Sequence, residues 1–525
     1  MPETPSSQPT RIRRVLNAMD RVTGGLSGRL SAKFDSLTSG RVTEFAHHQL
    51  YRVRMVTLRG RIALSGRDLS LLSEPRSKDI AAAESDAPSF AKSRQRSGPP
   101  RILFASEMRP TLAGNLLRIR DRMRERGLDS HYEMRYSFRT LDTVTPEGTM
   151  LLASEVNAAD VILIDDYFPL LNKVKLREDQ RLIQVWHAGS GFKSVGYSRF
   201  GNYGSPRLTD THRKYTFAIC GSSHLVPVYA EVFGIPESSV IPTGVPRIDT
   251  FLDPVRVPQV TAAFDDAYPD FVGKKKILFA PTFRGESART AFYDYSQLDF
   301  ARLHALCGDE YVFLIRMHHF ISDPPPIPEE FSDRIFDFSH FPDGNDLLHS
   351  TDILITDYSS ILYEFSLLDR PMLFFAYDRD LYSATRGFHR DYNEMAPGRV
   401  CLTFDDLVAA IENEDFEQWR VEEFRRDNFD HIDTDSADRV IDQLILSDPR
   451  QSQEAIAERE RDAARVERAL RLAAEQLHVD RPNHVGAIAA LEKYARNDVV
   501  RERTAATEAF EEAARSTSPR EAALS

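Results

Sequence analysis

Residues 351–375 read TDILITDYSSILYEFSLLDRPMLFF, and this stretch decides the fold class. DILIT is a short apolar run rich in β-branched residues, the pattern of a strand covered on both faces. TDYSS follows as a turn, ILYEFSLLD carries apolar residues at helical spacing, and RPMLFF is a second buried run. Strand, helix and strand in succession imply a parallel sheet with helices packed on it.

The same alternation extends outward. KKKILFAPTFR (274–284) and YVFLIRMHH (311–319) read as strands around a helix at LDFARLHALCG (298–308). Further upstream, RILFASE, VILIDDY, RLIQVWH and YTFAICGS read as strands, and GNLLRIRDRMRERG as a helix. Two such runs predict two doubly wound domains, at 99–255 and 256–445. Residues 1–98 form a basic helical extension ending in a linker (DAPSFAKSRQRSGPP), and 446–525 a charged helical extension.

Composition narrows the class. The chain has 525 residues, 42% of them hydrophobic, and a net charge of −12, a balance that does not suggest a general nucleic-acid binder. Cys220, Cys307 and Cys401 lack CxxC spacing, so neither a disulfide framework nor a cysteine zinc site is expected. No run approaches the roughly 18 apolar residues of a spanning helix. Arg11, Arg13 and Arg14 precede no apolar core, so no secretory signal is expected. A cytoplasmic, peripheral protein is the expectation. Residues 1–70 nevertheless hold twelve Arg or Lys against five Asp or Glu. That arm reads either as an attachment to an anionic membrane face or as a solvated helical hairpin. In the C-terminal extension Val466, Leu470, Ala473 and Leu477 share one helical stripe. It would pack on the body or on another copy, giving a homo-oligomer.

Open α/β sheets bind ligands beyond the carboxyl ends of their strands. His187 stands beyond RLIQVW, and Thr282 and Arg284 beyond ILFAP. Arg316, His318 and His319 close YVFLI, and Asp357, Tyr358, Ser359 and Ser360 follow DILIT. Hydroxyls at a helix N-terminus suit a phosphate, although Asp357 or Ser359 as a simple helix cap fits the same spacing. Arg284 and Arg316 are candidates to meet phosphate oxygens. His187 and His318 read either as proton-transfer groups or as satisfied buried histidines; His319 reads equally as a plain surface residue. There is no GxxxxGK[ST] loop and no GxGxxG after the first strand of either domain. Spacing alone thus points to a two-domain α/β enzyme handling a nucleotide diphosphate.

Six motifs in order resemble the CDP-glycerol glycerophosphotransferase family, which primes or polymerises teichoic-acid-like chains. They are QVWHAGSGFKSVGYS, PTGVPRID, ILFAPTFR, IRMHH, the 351–375 block, and YSATRGFHRDYNEMAPG. The resemblance implies a GT-B-like fold, with two Rossmann-like domains facing a cleft and a CDP-alditol held mainly by the second. It implies catalytic roles for His187 and His318. Donor contacts fall on Arg247, Thr282, Arg284, Arg316, Ser359, Ser360 and Glu364, with Asp357, Arg386 and Gly387 as further candidates. The implied reaction moves an alditol phosphate, glycerol phosphate first, to an acceptor hydroxyl and releases CMP. The acceptor would be lipid-linked or polymeric, at the inner membrane face. No cofactor is firmly implied; a loosely bound Mg²⁺ is compatible with the chemistry. His319 stands where the family has Pro, AGSGF where it has G-T-P-L, and Glu364 where many members have Asp. The rival readings are a GT-B glycosyltransferase using a nucleotide sugar and a non-catalytic GT-B scaffold.

Overall fold

The computed structural model describes residues 98–451 apart from 141–142, 188–191, 200–210, 285–290, 380–381 and 384–386, together with 461, 464 and 466. The basic arm and the stripe Val466–Leu477 beyond its first residue lie outside the described residues, as does Arg386.

Two six-stranded parallel sheets form, built around central strands that are apolar on both faces, such as Val161–Ile164 and Ile353–Thr356. The first contains β1 (Arg101–Ser106), β2 (Glu133–Phe138), β3 (Val161–Ile164), β4 (Arg181–Gln184), β5 (Phe217–Ile219) and β6 (Val240–Ile241). Their spatial order is β2-β1-β3-β4-β5-β6. Ile102 and Phe104 enter the core on one face of it, Leu103 and Ala105 that on the other. The second sheet contains β7 (Lys275–Phe279), β8 (Tyr311–Ile315), β9 (Ile335–Asp337), β10 (Ile353–Thr356), β11 (Met372–Phe375) and β12 (Arg399–Cys401). Its order is β12-β11-β10-β7-β8-β9. The strand order therefore changes direction between β1 and β3 in the first sheet and between β7 and β10 in the second. Each change leaves a crevice at the carboxyl ends. The GT-B-like expectation of two Rossmann-like domains holds.

The two units exchange segments. Phe192 enters the second domain's core, its ring 5.3 Å from Tyr392 and 5.9 Å from Phe388. Ser194 N donates to Gly387 O at 3.1 Å and His389 N to Phe192 O at 3.0 Å, so 192–194 and 387–389 pair side by side. Gly387 has φ +74°, and a Cβ there would lie 3.1 Å from Ser194 Oγ. In return, Val440, Ile441, Leu444 and Ile445 pack against Ile102, Leu116 and Ile119 of the first domain. Asp249 caps that returning helix, accepting from Ser436 N at 2.9 Å and Ala437 N at 2.8 Å. The end of the 256–445 segment thus completes the core of the first domain, a contact between positions too distant in sequence for local periodicity to reveal.

Candidate active site

The crevice of the second sheet is built on Asp357, which is fully buried. Its carboxylate accepts from Thr282 N at 2.7 Å and from Arg284 Nη1 at 2.7 Å. Arg284 also donates to both oxygens of Asp378, at 2.6 and 2.8 Å, and to Thr282 O at 2.6 Å. Its guanidinium lies 5.1–5.9 Å from the ring centres of Tyr293, Tyr358, Tyr377 and Tyr382. This corrects the expectation that Arg284 meets phosphate oxygens. It is buried and engaged by two carboxylates, which fixes the loop after β7 against the turn after β10. Asp357 is likewise internal. Thr282 Oγ1, by contrast, is buried with no hydrogen-bond partner among the described residues. Ser359 and Ser360 sit half-buried ahead of the helix Ile361–Ser366. Ser359 Oγ accepts from Ile361 N only at 3.4 Å, and Ser360 makes no side-chain cap. Both hydroxyls retain capacity for a ligand.

Beyond β8, Arg316 Nη1 donates to the carbonyls of Phe338 and Phe341 at 3.2 and 2.7 Å. Through this one nitrogen it fastens the next loop. His318 Nδ1 accepts from Phe320 N at 3.2 Å, which places the ring proton on Nε2. Burial pushes this imidazole down to about 4, and the charges of His319 and Lys193 add to the fall. His318 is therefore a neutral N–H donor at pH 7. His319 is exposed.

His187 is arranged the opposite way. Trp186, just past β4, has a left-handed φ of +50°, an unusual conformation for a bulky residue. The carbonyls of Val185 and Trp186 both accept from Asn115 Nδ2, at 2.8 and 2.9 Å. His187 Nδ1 lies 3.1 Å from the carbonyl of Asp165 and 3.1 Å from Oδ2 of Asp166. Both partners accept, so Nδ1 carries the proton and Nε2 keeps its lone pair. Burial pushes the imidazole below its ordinary range; Asp166 opposes this, while the Arg109 and Arg247 cations reinforce it.

Arg247 joins the two sides. Its backbone N–H donates to Asn115 Oδ1 at 2.9 Å and its Nη1 to His187 O at 2.5 Å. Its Nη2 pairs with Glu364, which is buried in the helix after the serines. Both were expected to contact the donor, and the structure pairs them with each other. The cleft thus gathers His187, Arg247, Glu364 and the serine turn, while Gly387 belongs to the interdomain pairing. Asn115, Asp165, Asp166 and Asp378 were missed from the sequence. Asp165 and Asp166 end VILIDDY and could have been found by applying the strand-end rule to β3. No group of three or more His, Cys, Asp or Glu side chains among the described residues could hold a metal ion.

A family model described as CDP-Glycerol:Poly(glycerophosphate) glycerophosphotransferase matches residues 89–446. The teichoic acid ribitol-phosphate polymerase TarL of Staphylococcus aureus (strain NCTC 8325 / PS 47) is 39% identical over 352 residues, 66% of this chain and 62% of that protein. The teichoic acid poly(ribitol-phosphate) polymerase of Bacillus spizizenii (strain ATCC 23059 / NRRL B-14472 / W23) is 38% identical over 349 residues, 66% of this chain and 56% of that protein. The chain thus spans less than two thirds of the length of these relatives. The structure of the wall teichoic acid polymerase TagF shares the fold, with a TM-score of 0.52 and 23% identity over 77% of this chain and 97% of that one.

Proposed function

The chain belongs to the CDP-glycerol:poly(glycerophosphate) glycerophosphotransferase family, and from that premise we propose that it transfers an alditol phosphate from a CDP-alditol to an acceptor hydroxyl in the synthesis of a teichoic-acid-like polymer. The observation that carries this reading is the complementary pair of imidazoles, a base at His187 beyond a strand of the first sheet and a neutral donor at His318 beyond a strand of the second.

In this reading the acceptor hydroxyl gives its proton to His187 Nε2. The oxygen attacks the phosphorus that bears the alditol, and the bond to the CMP oxygen breaks. The Nε2–H of His318 and the hydroxyls of Ser359, Ser360 and Thr282 stabilise the charge developing on the pyrophosphate. Arg247 and Glu364 hold His187 and the serine turn in register. Positioning and electrostatics supply most of the rate, as in other phosphoryl transfers.

The family's description names glycerol, as the sequence reading did, whereas the two relatives are named for ribitol-phosphate polymers, which favours ribitol. The test is to incubate the protein with CDP-glycerol and CDP-ribitol separately, with an acceptor, and follow CMP. Release from one of them is expected. A nucleoside diphosphate released from a nucleotide sugar would favour a glycosyltransferase, and no turnover at all a scaffold.

Among the described residues no helix is long and apolar enough to cross a membrane. The cationic arm at 1–70 supports a peripheral site of action at an anionic face, each cation there contributing roughly 1 kcal/mol. Deleting 1–70 should abolish sedimentation with anionic vesicles and spare turnover of a short soluble acceptor. Vesicle binding that survives the deletion would move the anchor elsewhere.

A further inference from the structure

The proposed donor site leaves one ion pair in the cleft without a task. Arg109 lies just past β1 and Asp165 just past β3, so the pair sits in the crevice where the first sheet changes direction. Open α/β sheets place ligands at such a crevice. Asp165 Oδ2 holds Arg109 Nε at 3.1 Å, and the carbonyl of the same Asp165 lies 3.1 Å from Nδ1 of His187. One residue therefore fixes both the cation and the base. Among the described residues the two Nη groups of Arg109 have no hydrogen-bond partner, and 34% of the side chain is exposed. Beyond the effect of burial, its charge helps to depress His187 in the first domain and, with Arg316, His319 in the second.

We propose that Arg109 binds the last phosphodiester of an acceptor chain that already carries an alditol phosphate. This rests on the transfer reaction proposed above. Each such transfer leaves an alditol with a free hydroxyl at one end and a phosphodiester at the other. The next acceptor therefore brings a single negative charge into the site, one alditol back from the oxygen that faces His187. A guanidinium anchored through Nε presents its remaining N–H groups as a planar fork, which suits phosphate oxygens. An acceptor ending in a neutral sugar offers that fork no counter-ion. Arg109 thereby selects chains that are already begun, a property of a polymerase rather than of a primase.

The test compares two soluble acceptors: a pair of alditols joined by a phosphodiester, and the same molecule with a neutral methylphosphonate link. The wild-type enzyme should favour the charged acceptor in kcat/KM by on the order of 10–100-fold, mostly through KM. In Arg109→Gln that preference should fall to near unity, with Arg109→Lys between the two. Removing the cation leaves Asp165 as a buried unpaired carboxylate, so Arg109→Gln combined with Asp165→Asn substitutes a neutral pair should the single variant fail to fold. A preference of the same size in wild type and the double variant would overturn the assignment, as would no preference in the wild type. Absence of CMP release by the wild type with every donor and acceptor would overturn the transfer reading itself.

Discussion

At the crevice of the second sheet, Arg284 is enclosed: Asp357 and Asp378 take its donors and four tyrosine rings surround it. At the crevice of the first sheet, Arg109 has the Asp165 carboxylate on one side and solvent on the other. Both arginines follow a central strand by a few residues, yet one is part of the frame and the other is open to a ligand. The histidines divide in the same manner. His187 meets two acceptors at Nδ1 and keeps a basic Nε2, whereas His318 meets a backbone N–H at Nδ1 and keeps an Nε2 donor. The role of a side chain at a strand end is thus set by what saturates it, not by its type.

The largest expected effect separates the two histidines. His187→Ala and His187→Gln should both lose about 10²–10⁴ in kcat, since neither residue can accept a proton. At position 318 a donor is needed rather than a base, so His318→Gln should retain clearly more activity than His318→Ala. Rescue by Gln at 187, measured with saturating CDP-alditol, would reverse the assignment of tautomers.

Next comes the contrast between frame and ligand contact within the second crevice. Arg284→Met leaves the buried Asp357 and the half-buried Asp378 without their cation and should cost roughly 3–5 kcal/mol of stability in denaturant titrations. Ser359→Ala with Ser360→Ala should leave unfolding nearly unchanged. It should instead weaken CDP-alditol binding, by about 1.5–3 kcal/mol for each hydroxyl that meets the pyrophosphate. Unchanged affinity in calorimetric titration would reduce these serines to helix caps.

The smallest effect is a shift in pH profile. His187 acts unprotonated, so kcat/KM should fall as pH drops through its pKa, which burial places below the ordinary value of about 6.5. Asp166 is the neighbour that raises that pKa, so Asp166→Asn should move the acid limb to still lower pH. It should also reduce kcat by roughly tenfold, because the ring loses part of its orientation. A limb displaced upward would show that Asp166 is not the group facing His187.

Much of this arrangement is written locally in the sequence. β10 and β11 are legible because a strand buried on both faces must be apolar along its length, and ILIT and MLFF satisfy that within four residues each. His187 and the Ser359–Ser360 turn are legible because parallel sheets deliver their strand ends to one edge. β2 was missed because, at the sheet's edge, its residues are half-buried or exposed and carry no apolar run. The fate of each polar group depended on partners far away in the chain. Arg284 became internal through Asp378, 94 residues distant, and Arg247 met Glu364 across 117 residues. Arg109 stays partly exposed beside Asp165, a partner from the end of another strand. Periodicity fixes which face of a strand or helix is buried, since that is decided by neighbours a few residues off. Only the packed tertiary structure decides which donors and acceptors remain unsatisfied, because a buried polar group takes whichever partner the fold brings near it.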